Sequence, residues 1–216
     1  MTDKLVNDIC ECFLLMQKDA GEFARLKVRG MNFSVRCYCA EGLGHVSVMR
    51  SSGFFGLMKM DTLMIIPTEK DMPLLSYDRV QAMGNDTLIF ELYDTLLGEA
   101  SLIATEKAKA EGKKLPDHDV GTHWYDAIKL PISLAKKGKK TATLGFDKLA
   151  ESYVMGFLSD SRCAASCDAK PKLEKVSVYV EGLLSHGGPS TDVFKKAMGE
   201  EKTAELFRKV LFGTGI

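Results

Sequence analysis

The chain has 216 residues, 45% of them apolar and 27% charged, which suits one packed domain over residues 1–216 and excludes a disordered chain. Lys plus Arg number 29 and Asp plus Glu 29, for a formal charge of zero, so a nucleic-acid binder with a net basic face is not expected.

Residues 4–26 place Leu5, Ile9, Phe13, Met16, Ala20 and Phe23 at helical spacing and predict an amphipathic helix. Four short runs rich in Val, Ile, Met and Thr follow, at 32–39, 44–51, 58–66 and 79–83, broken by Gly42, Gly44, Gly53 and Gly56. Gly84-Asn85-Asp86 signals a turn, and 87–93 reads as a further strand. Tight turns between such runs imply one antiparallel sheet. A helix is expected over 96–112, and 115–143 reads as irregular, with Pro116, Pro131 and the basic run Lys136-Lys137-Gly138-Lys139-Lys140. Leu149, Tyr153 and Phe157 predict a helix over 146–158. Residues 173–184 fit a strand at Val176–Val180 or a helix through Leu173, Val176, Val180 and Leu183; the helix is preferred. Ser190 is placed to cap a last helix. The order helix, strands, helices predicts an α/β fold, a three-layer α/β/α sandwich around a central antiparallel sheet.

The apolar runs, such as Leu63–Ile66, fall far short of the roughly 20 residues that span a bilayer. The opening MTDKLVND has no apolar core of a signal peptide. The expectation is a cytoplasmic protein with no membrane partner. The six cysteines have C-x-C, C-x-C and C-x3-C spacings, unlike zinc or iron–sulfur sites, and read as soft core filler, with Cys37 and Cys39 on one face of a strand. His45, His118 and His123 are not at metal-ligand spacing. Gly53–Met60 suits either a hairpin turn or the wall of a soft pocket. No phosphate-binding glycine loop, nucleophile elbow or H-E-x-x-H motif is present.

Two stretches carry a resemblance. The first is Leu63-Met64-Ile65-Ile66-Pro67, then Asp71-Met72-Pro73-Leu74-Leu75-Ser76-Tyr77-Asp78-Arg79-Val80 and the Gly84 turn. The second runs from Tyr179 through Val193-Phe194-Lys195-Lys196-Ala197-Met198-Gly199-Glu200 to Val210-Leu211-Phe212. They resemble the ferredoxin-dependent bilin reductases, with a strand ending in Pro, then "LPxFGxDxV", and a closing "VLEKAFGE…VLFD" helix. Trp124 stands about where that family has a Pro-Trp. The resemblance implies a linear tetrapyrrole bound on one sheet face under the C-terminal helices, with no bound cofactor or metal. It also implies ferredoxin, or a similar small acidic carrier, as the external electron donor. Side chains then deliver protons, and the Asp of the "D-x-V" motif, Asp78, is the central donor. A carboxyl buried against a flat apolar ligand loses hydration, so its pKa rises and it holds a proton near neutrality.

Departures from the family pattern are as informative. Thr62, beside Asp61, occupies the position where many members have a catalytic His. Val48–Arg50 replace an acidic residue on the neighbouring strand. Gly187 falls where a second Asp or Asn is expected, with His186 ahead of Asp192 as the nearby substitute. The candidate site is therefore Asp78, His186 and Thr62. The alternative is a tetrapyrrole-binding protein of the same fold without catalysis. Lys136, Lys137, Lys139 and Lys140 are expected to steer the acidic electron carrier.

Overall fold

The computed structural model of the chain describes residues 1–215. An eight-stranded antiparallel sheet forms the middle layer. Its strands are β1 (Leu15–Lys18), β2 (Arg25–Val28), β3 (Met31–Ala40), β4 (Gly44–Gly53), β5 (Met58–Pro67), β6 (Leu74–Ala82), β7 (Asn85–Tyr93) and β8 (Leu134–Lys139). They run in the order β1-β3-β4-β5-β6-β7-β8, and β2 shares the β3 edge with β1. The helices are α1 (Thr2–Cys12), α2 (Ile103–Glu111), α3 (Thr143–Cys163), α4 (Ala169–His186), α5 (Pro189–Met198) and α6 (Glu200–Glu205). α6 runs into a π-helical turn, Leu206–Leu211. No helix among the described residues is long and apolar enough to cross a membrane.

Alternation along the strands builds two cores. Leu63, Ile65, Leu75, Tyr77, Leu88 and Phe90 point to one face, where Leu5 and Ile9 of α1 and Leu149, Tyr153 and Phe157 of α3 cover them. Phe90 stacks on Tyr153 at 4.1 Å, and burying either ring contributes about 1.5–3 kcal/mol. Met64, Ile66, Leu74 and Tyr93 point to the other face, under Val176, Tyr179 and Val180 of α4, Phe194 of α5 and Leu206–Phe212. The expected α/β/α sandwich is the observed architecture.

Local boundaries moved in identifiable ways. The helix expected over 4–26 stops at Cys12, because Phe13 is extended and residues 15–18 pair with 37–40 of β3. The apolar spacing beyond it belongs to an edge strand and a short 3-10 turn, with Phe23 filling the second core. The strand expected over 79–83 is the end of β6, which starts at Leu74. The helix expected over 96–112 is shorter, because Leu97 and Gly98 donate their N–H groups to Asp71. The stretch 115–143, read as irregular, contains β8, an edge strand whose lysine-rich sequence hides its period-two pattern: Leu134 and Lys136 point inward. The last helices begin two residues before the expected cap, with Gly188 rather than Ser190 as N-cap and Pro189 in the first helical position, where a missing N–H is tolerated.

Candidate active-site cavity

Asp78 stands near the centre of the sheet face covered by α4–α6. Met49, Thr62, Asp78 and Ile89 form one register row across β4–β7, and Met64, Ser76 and Glu91 the next. These side chains floor a cavity of about 360 Å³. Tyr179 and Leu183 of α4, Ser190 and Thr191 of α5, and Phe207, Leu211 and Phe212 roof it, and the loop bearing His118, Asp119, His123 and Tyr125 closes one side. Met49, Met60 and Met64 give it polarisable, adaptable walls. Its size and aromatic content suit a flat, cofactor-sized ligand.

The π-helical turn fixes the roof. Its wider winding leaves two carbonyls free to accept from the floor: His45 Nε2 donates to Val210 O at 2.9 Å and Ser47 Oγ to Leu211 O at 2.7 Å. Burial pushes the His45 imidazole down to about 4, so it is the neutral ring that makes this bond.

The Asp78 carboxyl accepts from Thr62 Oγ1 at 2.5 Å and more loosely from Ser76 Oγ at 3.4 Å. Burial dominates its ionisation; the Thr62 bond opposes, Glu91 adds repulsion and Ser76 opposes, and the net result lifts the group to about 6. Glu91 accepts from the Tyr93 hydroxyl at 2.6 Å and lies 3.6 Å from Lys129 Nζ. Burial raises the Tyr93 and Tyr179 phenols, whose rings stack at 4.4 Å, far above their ordinary range. Both are neutral hydrogen-bonding groups at working pH. Among the residues lining the cavity there are three carboxyl side chains, Asp78, Glu91 and Asp119, and no Lys or Arg.

The structure therefore brings Asp78 and Thr62 together. It places His186 elsewhere, exposed at the end of α4 with its ring 5.4 Å from that of Trp124 and outside the cavity lining. Asp192 is also exposed and bends back over Gly187. Lys136 is turned inward from the basic run, donating to Leu115 O and Asp117, and is not on the surface for a carrier. Of the soft-pocket stretch Gly53–Met60, Met60 lines the cavity, whereas Phe54 and Phe55 sit exposed at a hairpin tip. Sequence reasoning missed Glu91, His118, His123 and the tyrosines. Glu91 had a visible signal: it alternates with Phe90 and Leu92, so it faces away from the first core and across from Ser76. Among the described residues no cluster of His, Cys, Asp and Glu could hold a metal ion.

Trp124 locks the side loop to the roof. Its Nε1 donates to Gly187 O at 3.0 Å, and its ring fills the space beside Gly182, where a Cβ would meet the ring at 2.2 Å. Gly182→Ala is expected to expel the ring and destabilise the fold by about 1–3 kcal/mol. As this is the single tryptophan, a red-shifted fluorescence maximum reports the event directly. An unchanged maximum and melting temperature would show that the α4 backbone yields instead.

No protein-family model matches the sequence, and no curated protein matches it. Among solved structures, the chain is similar to phytochromobilin synthase from tomato in complex with biliverdin. The TM-score is 0.79 with 15% sequence identity, over 99% of this chain and 83% of that one. The architecture, from its antiparallel sheet to its two helical layers, is thus the fold of phytochromobilin synthase.

Proposed function

We propose that the protein reduces a linear tetrapyrrole, with Asp78 as the main proton donor and ferredoxin or a similar small acidic carrier supplying electrons one at a time. The observation that carries this reading is a carboxyl lifted to about 6 on the floor of an aromatic, methionine-walled cavity. Such a group is protonated in a useful fraction near neutrality and releases its proton as negative charge builds on the ligand. The acid-lined, cation-free wall favours a ligand that presents N–H donors inward, as the pyrrole and lactam nitrogens of a bilin do. The solved structure with this fold holds biliverdin, which supports the same class of ligand.

Saturating one double bond takes two electrons and two protons. The carrier supplies the electrons in two steps. Asp78 gives the first proton to the one-electron-reduced ligand, and Thr62 orients the carboxyl by donating to its other-side oxygen. Asp78 regains a proton from solvent through the cavity mouth and gives this second proton to the ligand after the second electron arrives. Glu91, held by Tyr93, is a second acidic group next to the same ligand face.

Biliverdin added to the purified protein is expected to shift its visible absorption on binding, and anaerobic addition of reduced ferredoxin should then bleach the bound spectrum toward a shorter-conjugation product. A shift without turnover would make the chain a bilin-binding protein. No shift would exclude both readings.

A further inference from the structure

One end of the sheet is unlike the rest of the surface. Strand pairing gathers the β2–β3, β4–β5 and β6–β7 turns and the end of β8 there, through Val28↔Met31, Gly53↔Met58, Ala82↔Asn85 and Asn85↔Lys139. Residues 25–32, 52–59, 81–86 and 139–141 carry six cations: Arg25, Lys27, Arg29, Lys59, Lys139 and Lys140. All six are exposed, and none forms an ion pair among the described residues. The single acid in these segments, Asp86, is fully buried and bound by Arg79 at 2.7 Å. In a chain of zero formal charge this is a strong segregation. An open groove of about 1040 Å³ begins beside the turns, with Arg25, Lys27 and Lys59 on its walls.

The tips between these cations are apolar. Phe54 is 58%, Phe55 108%, Leu57 74% and Met83 94% exposed. Phe54, Phe55 and Met83 have φ of 52°, 57° and 51°, a region that bulky residues adopt only with strain. Hairpin turns of this kind favour Asn and Gly. Stability alone disfavours two strained, solvent-facing phenylalanines at these positions, so their presence points to a contact they make.

We propose that this end of the sheet lies on an anionic lipid surface. Phe54, Phe55, Leu57 and Met83 enter the boundary between headgroups and acyl chains, and the six cations face the lipid phosphates. No helix among the described residues is long and apolar enough to cross a membrane, and this surface mode needs none. Lipid fits better than a protein partner because the apolar groups protrude into solvent from two hairpin tips ringed by cations, Phe54, Phe55 and Leu57 on one and Met83 on the other. A fluid interface accepts such a shape without a matching set of holes.

The test is flotation with phosphatidylcholine vesicles, with and without about 30% phosphatidylglycerol. Wild type should bind the anionic vesicles at least about tenfold more tightly, and added salt should weaken binding. Lys139→Glu with Lys140→Glu should lower the affinity by at least about fivefold per cation lost. Phe54→Ser with Phe55→Ser should lower it about tenfold or more. Phe55→Asn serves as the folding control, because Asn tolerates positive φ: binding should weaken while the melting temperature holds or rises. Equal binding to both vesicle types, no binding to either, or undiminished binding by the Phe variants would overturn the proposal. So would absent vesicle binding with a raised KM of the Phe variants for an acidic electron carrier, which would make this end a protein-docking surface.

Discussion

Asp78→Asn is expected to bind bilin with an undiminished absorption shift and to form product at least about 100-fold more slowly, the usual loss when a general acid is removed. The carrier still delivers its electron, so a one-electron-reduced ligand should accumulate and be visible by electron paramagnetic resonance. The same substitution should have a signature in stability. In the fold Asp78 titrates at about 6, against an ordinary 3.8. The folded state therefore holds more protons between these values, and the wild type loses stability as pH rises through that window. Above about pH 6 the charged, desolvated carboxylate weakens the fold by on the order of 2–3 kcal/mol. The Asn variant lacks this term, so its advantage over wild type should appear at pH 8 and vanish near pH 4. Normal turnover by Asp78→Asn would remove the donor role. An equal loss of stability at both pH values would show that Thr62 holds Asp78 as an anion.

The second large effect lies beside the cavity. Lys172 of α4 is wholly buried and donates to Asp71 Oδ1 at 2.9 Å and Met72 O at 2.7 Å. Burial pulls the ammonium below its ordinary range despite Asp71. Burial would raise Asp71, but the N–H groups of Leu97 and Gly98 and the Lys172 ammonium together bring it below the usual carboxylate range. Asp71→Ala leaves a buried cation with one carbonyl partner. The expected loss is about 3–5 kcal/mol, or roughly 10 °C in melting temperature for a chain of this size. Lys172→Met should cost less, because Asp71 keeps two backbone donors. Calorimetry on both variants checks the order; equal small losses would mean that water enters and solvates the pair.

The segment around Asp71 separates what the sequence could reveal from what it could not. The motif from Asp71 to Val80 was visible as a pattern, and it has two jobs: Asp71 anchors α4 over the sheet, and Asp78 points into the space that α4 covers. β3, β4, β5 and β7 were legible as Val-, Ile-, Met- and Thr-rich runs between turn residues; β3 and β7 alternate in burial, whereas β4 and β5 are buried in continuous runs because both sheet faces are covered there. β8 was hidden because an edge strand with Lys136, Lys137 and Lys139 looks like a solvated loop. Thr62 was reached only through the family pattern aligned on Pro67; its place beside Asp78 comes from the β5–β6 register. His186 could not be placed, since the rotation of α4 about its axis depends on Trp124 filling the space at Gly182, a long-range packing event with no local signature.

The two cores give the molecule a division of labour in its opening motions. Aromatic stacking such as Phe90 on Tyr153 ties the sheet to α1 and α3, whereas the cavity lies entirely on the opposite side, between the sheet and α4–α6. Besides its apolar core, the second helical layer carries a few discrete latches: the Asp71–Lys172 pair, the two bonds to the π-helical turn and the Trp124 wedge. It is expected to open as a separate cooperative unit while the sheet and its other cover stay folded. Weakening one latch, as Asp71→Ala does, is then expected to speed amide hydrogen exchange in α4–α6 and leave α1 and α3 unchanged.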